Sequence, residues 1–156
     1  MLVYRIATNE FVHDLSGYGA KLNGGRWNRE GVAVLYTGSS IALCAWEYWV
    51  HLPDTVTLKQ NAFSVATIQI PDHSVLKIAP KLSAQLQGQD NSRLHALTDD
   101  WIERNEHLVM QVPSAIIEQE SNYLINPAHP LFTEAVLESV NPFSFDKRAF
   151  GKVLLK

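Results

Sequence analysis

One carboxylate inside an apolar, helix-length segment constrains this chain more than any other feature. Glu47 stands within Ser40-Ile41-Ala42-Leu43-Cys44-Ala45-Trp46-Glu47-Tyr48-Trp49-Val50, which follows Leu35-Tyr36-Thr37-Gly38-Ser39. An ionised carboxylate is costly to strip of water without a partner, so the acid is either ion-paired for structure or placed for chemistry. The preceding run, Val32-Ala33-Val34-Leu35-Tyr36-Thr37, is apolar, rich in β-branched residues and bounded by Gly31 and Gly38, which predicts a buried strand. Ser39 or Ser40 then caps a helix expected to reach about Leu52, with Pro53 stopping it. Because Ile41, Leu43, Trp46, Trp49 and Val50 surround the helical wheel, this helix is expected to sit inside the protein.

The remaining segments read as a mixture of short strands and helices. Leu2 to Ala7 predicts a first strand, and the Gly-rich stretch from Ser16 to Gly25 predicts a long loop. Phe63 to Ile70 alternates as a strand that Pro71-Asp72 turns into a second run at Val75 to Ile78. The polar stretch from Lys81 to Ser92 is expected to be a surface loop. Thr98 is placed to cap a helix reaching Asn105, with Asp99 and Asp100 in its first turn and Trp101 facing inward. Leu108 to Val112, Ala115 to Ile117, Tyr123 to Ile125 and Phe143 to Phe145 predict strands, and Pro130 to Val140 a short helix. Strands and helices do not alternate regularly, which favours an α+β fold over a doubly wound parallel sheet.

Size and charge narrow the class. A chain of 156 residues, 46% hydrophobic and 19% charged, is long enough for one core and too short for two ordinary domains, so 1–156 is expected to be a single domain. The thirteen Lys and Arg are scattered and the net charge is −3, so no nucleic-acid footprint exists. No apolar stretch approaches the roughly 20 residues that span a bilayer. The single Cys44 and an N-terminus unlike a secretion signal point to the cytoplasm.

Several residues could carry chemistry. Gly24-Gly25-Arg26-Trp27-Asn28 sets a guanidinium beside two residues that allow close backbone approach, a setting suited to a diphosphate or carboxylate. It suits equally an ordinary turn in which Arg26 pairs with a surface acid. Tyr36 and Glu47 could face one cleft at the mouth of the buried strand, where an aromatic ring and a carboxylate would fit a flat cationic heterocycle joined to a sugar. The bland alternatives are a core tyrosine and a buried ion pair of Glu47 with Arg26 or Arg5. Ser114, between Pro113 and Ala115, could bind a ligand or close its own turn. No Gly-x-Ser-x-Gly elbow, dinucleotide glycine fingerprint or Walker lysine occurs, and the six histidines lack paired metal-ligand spacing, so no metal is expected. Trp46, Trp49 and Trp101 offer more aromatic surface than a small core needs, which raises homo-oligomerisation.

These pieces together resemble the RES domain, the toxin half of RES-Xre toxin-antitoxin pairs. The resemblance is carried by Tyr4-Arg5, Gly25-Arg26-Trp27-Asn28, Leu35-Tyr36-Thr37 with Ala42 and Glu47, Val112-Pro113-Ser114-Ala115, Asn122-Tyr123-Leu124-Ile125-Asn126-Pro127 with His129-Pro130, and Pro142-Phe143-x-Phe145-Asp146-x-Arg148, in family order. It implies an ADP-ribosyltransferase-like α+β fold with a split, mostly antiparallel sheet around a cleft for NAD. It further implies a toxin that depletes NAD by cleaving the nicotinamide–ribose bond, with water or phosphate as acceptor, and an Xre-type antitoxin as partner. Transfer of ADP-ribose to a protein, or a catalytically dead module that only binds a regulator, are the alternatives. The implied catalytic set is Arg26, Tyr36 and Glu47, with Ser114 positioning the nicotinamide ribose or amide, Arg5 as a second phosphate contact and Asn126 as a further ligand contact. One departure is Gly38, where many members carry Ser; Ser39 is expected to replace any hydrogen bond lost.

Overall fold

The computed structural model describes residues 1–51, 62–78, 91–146 and 148. Seven strands form one sheet: β1 (Leu2–Thr8), β2 (Leu35–Gly38), β3 (Phe63–Gln69), β4 (Val75–Lys77), β5 (Val109–Pro113), β6 (Ser121–Ile125) and β7 (Val136–Phe143). Among the described residues three α-helices accompany them, α1 (Tyr18–Asn23), α2 (Ile41–Val50) and α3 (Ser92–Arg104), with a 3₁₀ turn at Pro130–Glu134. The strand order is β4-β5-β6-β2-β1-β3-β7, and every pairing is antiparallel except β4 with β5. This is the expected α+β architecture.

The sheet is nearly two sheets. β1 runs in register with β3 from Leu2 to Thr8, whereas its pairing with β2 amounts to one register pair, Tyr4 with Gly38. β1 and β2 share no further register pair, and a hollow lined by Arg5 and Ile6 of β1 and by Tyr36, Thr37 and Gly38 of β2 lies at this seam. Each half has its own cover. Ile6, Phe63 and Val65 pack under α2 through Ala45, Tyr48 and Trp49, and Phe63 meets Tyr48 and Phe145 edge to face with ring centroids 5.2 and 5.8 Å apart. Leu94 and Trp101 of α3 pack on Met110, Val112 and Leu124 of the other half, together with Trp27 and Val34. Val3, Leu35, Ile68 and Ile125 fill the opposite face.

Several local expectations need correction. The Gly-rich stretch contains a helix, α1, because Gly17 and Gly24 take the left-handed φ values, +69° and +65°, at its two ends and leave helix-compatible residues between. α2 is half-exposed, not interior: Leu43 is buried, while Trp46 and Val50 are 54% and 55% exposed. An apolar wheel does not bury itself when only one side of the helix meets a sheet. Thr98 is no cap; α3 begins at Ser92 and Thr98 lies buried in its interior. Trp101 belongs to the core, with Nε1 donating to the His107 carbonyl at 2.8 Å, so of the tryptophans put forward for an interface Trp46 is the exposed one. Ala115 to Ile117 is a bend, and Val136 to Phe143 is an edge strand because β3 offers it a register partner along its length. Leu52, Pro53 and the loop expected over 81–90 lie outside the described residues.

Candidate active site

The hollow at the split has a volume of about 640 Å³, within the roughly 300–1,000 Å³ usual for small-molecule sites. Arg5, Arg26, Tyr36 and Glu47, four of the residues singled out from the sequence, all line it. Ser114 and Asn126 do not.

One wall is the loop between α1 and β2. Its backbone is tied at several points: Gly25 N–H donates to the Asn28 carbonyl at 2.8 Å, and His95 Nε2 donates to the Gly25 carbonyl at 2.9 Å. Asn28 is fully buried, and its Nδ2 serves the carbonyls of Ala20, Arg29 and Val32. The Tyr36 hydroxyl completes the tie, accepting from Trp27 N–H at 3.2 Å and donating to Asn28 Oδ1 at 2.7 Å. Burial pushes this phenol up to about 12, so it stays protonated at neutral pH. Gly25 is required for the approach: a Cβ there would come within 2.8 Å of the Tyr36 hydroxyl. Tyr36 thus lends its ring to the hollow and spends its hydroxyl on the loop. The Arg26 guanidinium is left without an ion-pair partner among the described residues.

Arg5 enters from β1. Its Nη1 donates to the carbonyls of Phe11 and Val12 at 2.8 and 3.2 Å, and burial lowers its pKa against the opposing charge of Asp14. Neither arginine pairs with Glu47, so the buried ion pair allowed by the sequence does not form.

The other wall is α2, entered from β2 through Ser40, whose Oγ accepts from Leu43 N–H at 3.1 Å. The cap is therefore Ser40, and a serine at position 38 is not needed for it. Gly38 instead makes room: a Cβ there would meet Cys44 Sγ at 2.8 Å. Cys44 donates to the Tyr4 carbonyl at 3.1 Å, and burial, with Glu47 nearby as a lesser cause, pushes its thiol up to about 12. Glu47 is 21% exposed at its side chain, and its Oε1 accepts from Ser114 Oγ at 2.8 Å and Asn122 Nδ2 at 2.6 Å. Its Oε2 lies 3.9 Å from His51 Nδ1, which donates to the Glu47 carbonyl at 2.7 Å.

Two expectations change. Ser114 is 1% exposed and reaches Glu47, not open space. Asn126 sits apart from the hollow: it is 1% exposed, donates to Asn105 Oδ1 at 3.0 Å and accepts from Ala128 N–H at 2.9 Å. Its side chain is consumed in tying the turn after β6 to the end of α3, where Asn105 adopts φ +50°. Asn122 and His95 are the contributors that sequence reasoning missed. Asn122 lies within a motif already noted, but its Glu47 contact spans 75 positions and leaves no local trace.

A sheet parted at its middle, with a tied loop carrying Arg26 facing a fixed carboxylate, defines an α+β domain built around a cleft of small-molecule size. The chain belongs to the RES domain family, whose model matches residues 2–146. It is 34% identical over 148 residues to a protein named Toxin Res from Yersinia enterocolitica (93% of this chain, 95% of that protein). It is 35% identical to one named Prs ADP-ribosylating toxin from Sphingobium sp., covering 96% of each chain. The fold matches a chain in the crystal structure of the M. tuberculosis MbcT-MbcA toxin-antitoxin complex with a TM-score of 0.75, at 20% identity, over 92% of this chain and 84% of that one.

Proposed function

We propose that this protein is the toxin of a toxin-antitoxin pair and that it consumes NAD by breaking the bond between nicotinamide and ribose, with water or phosphate as acceptor. The observation that carries the reading is the convergence of Arg26, Tyr36 and Glu47 on one hollow of suitable volume. The family, and relatives named as toxins, support it. Cleavage leaves positive charge on the ribose, which a fixed carboxylate stabilises in the transition state. Glu47 supplies that charge. Nicotinamide departs as a neutral base, so no acid is needed to protonate it. Arg26, without an ion-pair partner among the described residues, binds the diphosphate, Arg5 is the second cation of the hollow, and the Tyr36 ring borders the nicotinamide. An Xre-type antitoxin in the same cytoplasm would neutralise the toxin by covering the cleft, a partnership supported by the likeness to a chain from a toxin-antitoxin complex.

The test is nicotinamide release from NAD by the purified protein, with and without phosphate. Release that disappears in Glu47→Gln is expected; no release under either condition overturns the proposal. A second reading, transfer of ADP-ribose to a protein, is favoured by the relative named Prs ADP-ribosylating toxin. NAD labelled in its adenylate half separates the two, since label retained on protein would replace free ADP-ribose or its phosphorylated form.

A further inference from the structure

Glu47 projects from α2, yet the groups that fix its carboxylate come from the other half of the sheet. Asn122 of β6 and Ser114, which follows β5, both donate to the same oxygen, Oε1, at 2.6 and 2.8 Å. The serine has no alternative. Its oxygen accepts from the N–H groups of Ile116 and Ile117 at 3.0 and 3.1 Å, which fills both acceptor positions of a hydroxyl. Its one proton is therefore committed to Oε1. Asn122 reaches α2 across its register partner Gly38, where no side chain intervenes; a Cβ at that position would stand 3.5 Å from Asn122 Oδ1. With Oε1 doubly occupied, Oε2, 3.9 Å from His51 Nδ1, is the carboxylate oxygen left for the hollow that Glu47, His51 and Asn122 all line.

We propose that Asn122 and Ser114 form a two-point clamp that spends one oxygen of Glu47 on the protein and presents the other to the ribose. Asn122 is then a positioning residue for the reaction, and Ser114 acts through Glu47 without touching substrate. The inference rests on the function proposed above. Two donors on one oxygen stop the carboxylate turning about its terminal torsion, which a single donor would allow. Such control matters because a misplacement of about 1 Å in a reacting group can lower a rate roughly a hundredfold.

A double-mutant cycle in NAD cleavage tests the clamp. Asn122→Ala is expected to lower kcat roughly ten- to a hundredfold with KM little moved, as for a displaced catalytic group. Added to Glu47→Gln, the same change should cost less than about twofold more, because coupled residues do not contribute independently. Losses that multiply, or a raised KM with kcat retained, would mean that Asn122 serves the substrate itself and would overturn the clamp. Asn122→Leu, closer in volume, repeats the cycle if the alanine variant does not fold. A measurement without substrate stands beside it: in ¹⁵N-labelled protein the Asn122 carboxamide protons should show a hydrogen-bonded shift and slowed exchange that vanish in Glu47→Ala. No change there overturns the clamp even if NAD is cleaved. A responsive carboxamide in a protein that cleaves no NAD removes the activity and leaves the clamp on the carboxylate standing.

Discussion

The two walls of the hollow fix their charges by opposite means. Around Arg26 the backbone is tied, by Tyr36, Asn28 and His95, while the guanidinium itself has no ion-pair partner among the described residues. Around Glu47 the side chain is the tied object, gripped at one oxygen by residues 67 and 75 positions away. The contrast fits the roles proposed for the two charges. An arginine side chain can settle on a diphosphate as the ligand arrives, and its planar fork then pairs bidentately. Stabilising charge that develops on one ribose carbon requires an oxygen already in place, since reorganising it during the reaction would forfeit the benefit.

Variants on the two walls should therefore fail differently. The largest effect belongs to Glu47→Gln, expected to lower the rate of nicotinamide release by roughly 10²–10³-fold, the range seen when one stabilising group is removed from a preorganised site. A loss below tenfold would move the chemistry off the α2 wall. Arg26→Ala should act on binding instead, raising KM about ten- to a hundredfold with kcat nearly unchanged, the worth of a charged hydrogen bond. Steady-state kinetics on both variants would erase the distinction between the walls if each moved the same parameter.

Gly25→Ala probes the tie without touching either charge. The added methyl meets the Tyr36 hydroxyl and Asn28 Oδ1 at 2.8 and 2.9 Å, so the loop must shift. Overpacking of this kind costs about 1–3 kcal/mol. Thermal unfolding should show that loss, and KM should rise with Arg26 displaced; an unchanged melting temperature would mean the loop yields freely.

A further test is alkaline. Folding raises the Tyr36 phenol from 10.0 and the Cys44 thiol from 9.0, each to about 12. Above the lower values the unfolded chain releases protons that the folded protein keeps, so stability falls as pH rises. Melting temperatures should hold up to about pH 9 and decline from there toward pH 12. Cys44→Ala should remove the part that begins near pH 9, on the Glu47 wall, and leave the Tyr36 part that begins near pH 10. A flat profile in the unaltered protein would show that neither group is sealed from water.

Much of the site was legible because its residues carry unusual local settings. Glu47 stood out as an acid among apolar neighbours and Arg26 as a cation beside paired glycines, and both line the hollow; of Ser39 and Ser40, the two caps offered before the apolar run, Ser40 is the one used. Asn122, Asn126 and Ser114 had no such signal. Polar residues near turns look alike in sequence, and only the partner within reach decides whether an amide grips a carboxylate of the cleft or closes a turn. The helix boundaries missed at α1 and α3 have a related cause. Glycines mark helix ends as readily as loops, and a threonine reads as a cap until tertiary packing extends the helix past it.

By itself the sequence determined the family, the mixed class of fold, most strand positions and the identity of the charged groups, because those depend on residue type and short-range periodicity. The tertiary structure alone decided that β1 and β2 share one register pair and part around a hollow, that Glu47 is held by Asn122 and Ser114 and not by an arginine, and that Asn126 lies elsewhere. Those outcomes depend on which segments lie side by side in the sheet. Strand order and register bring distant residues within the 3 Å of a hydrogen bond, and no local pattern encodes them.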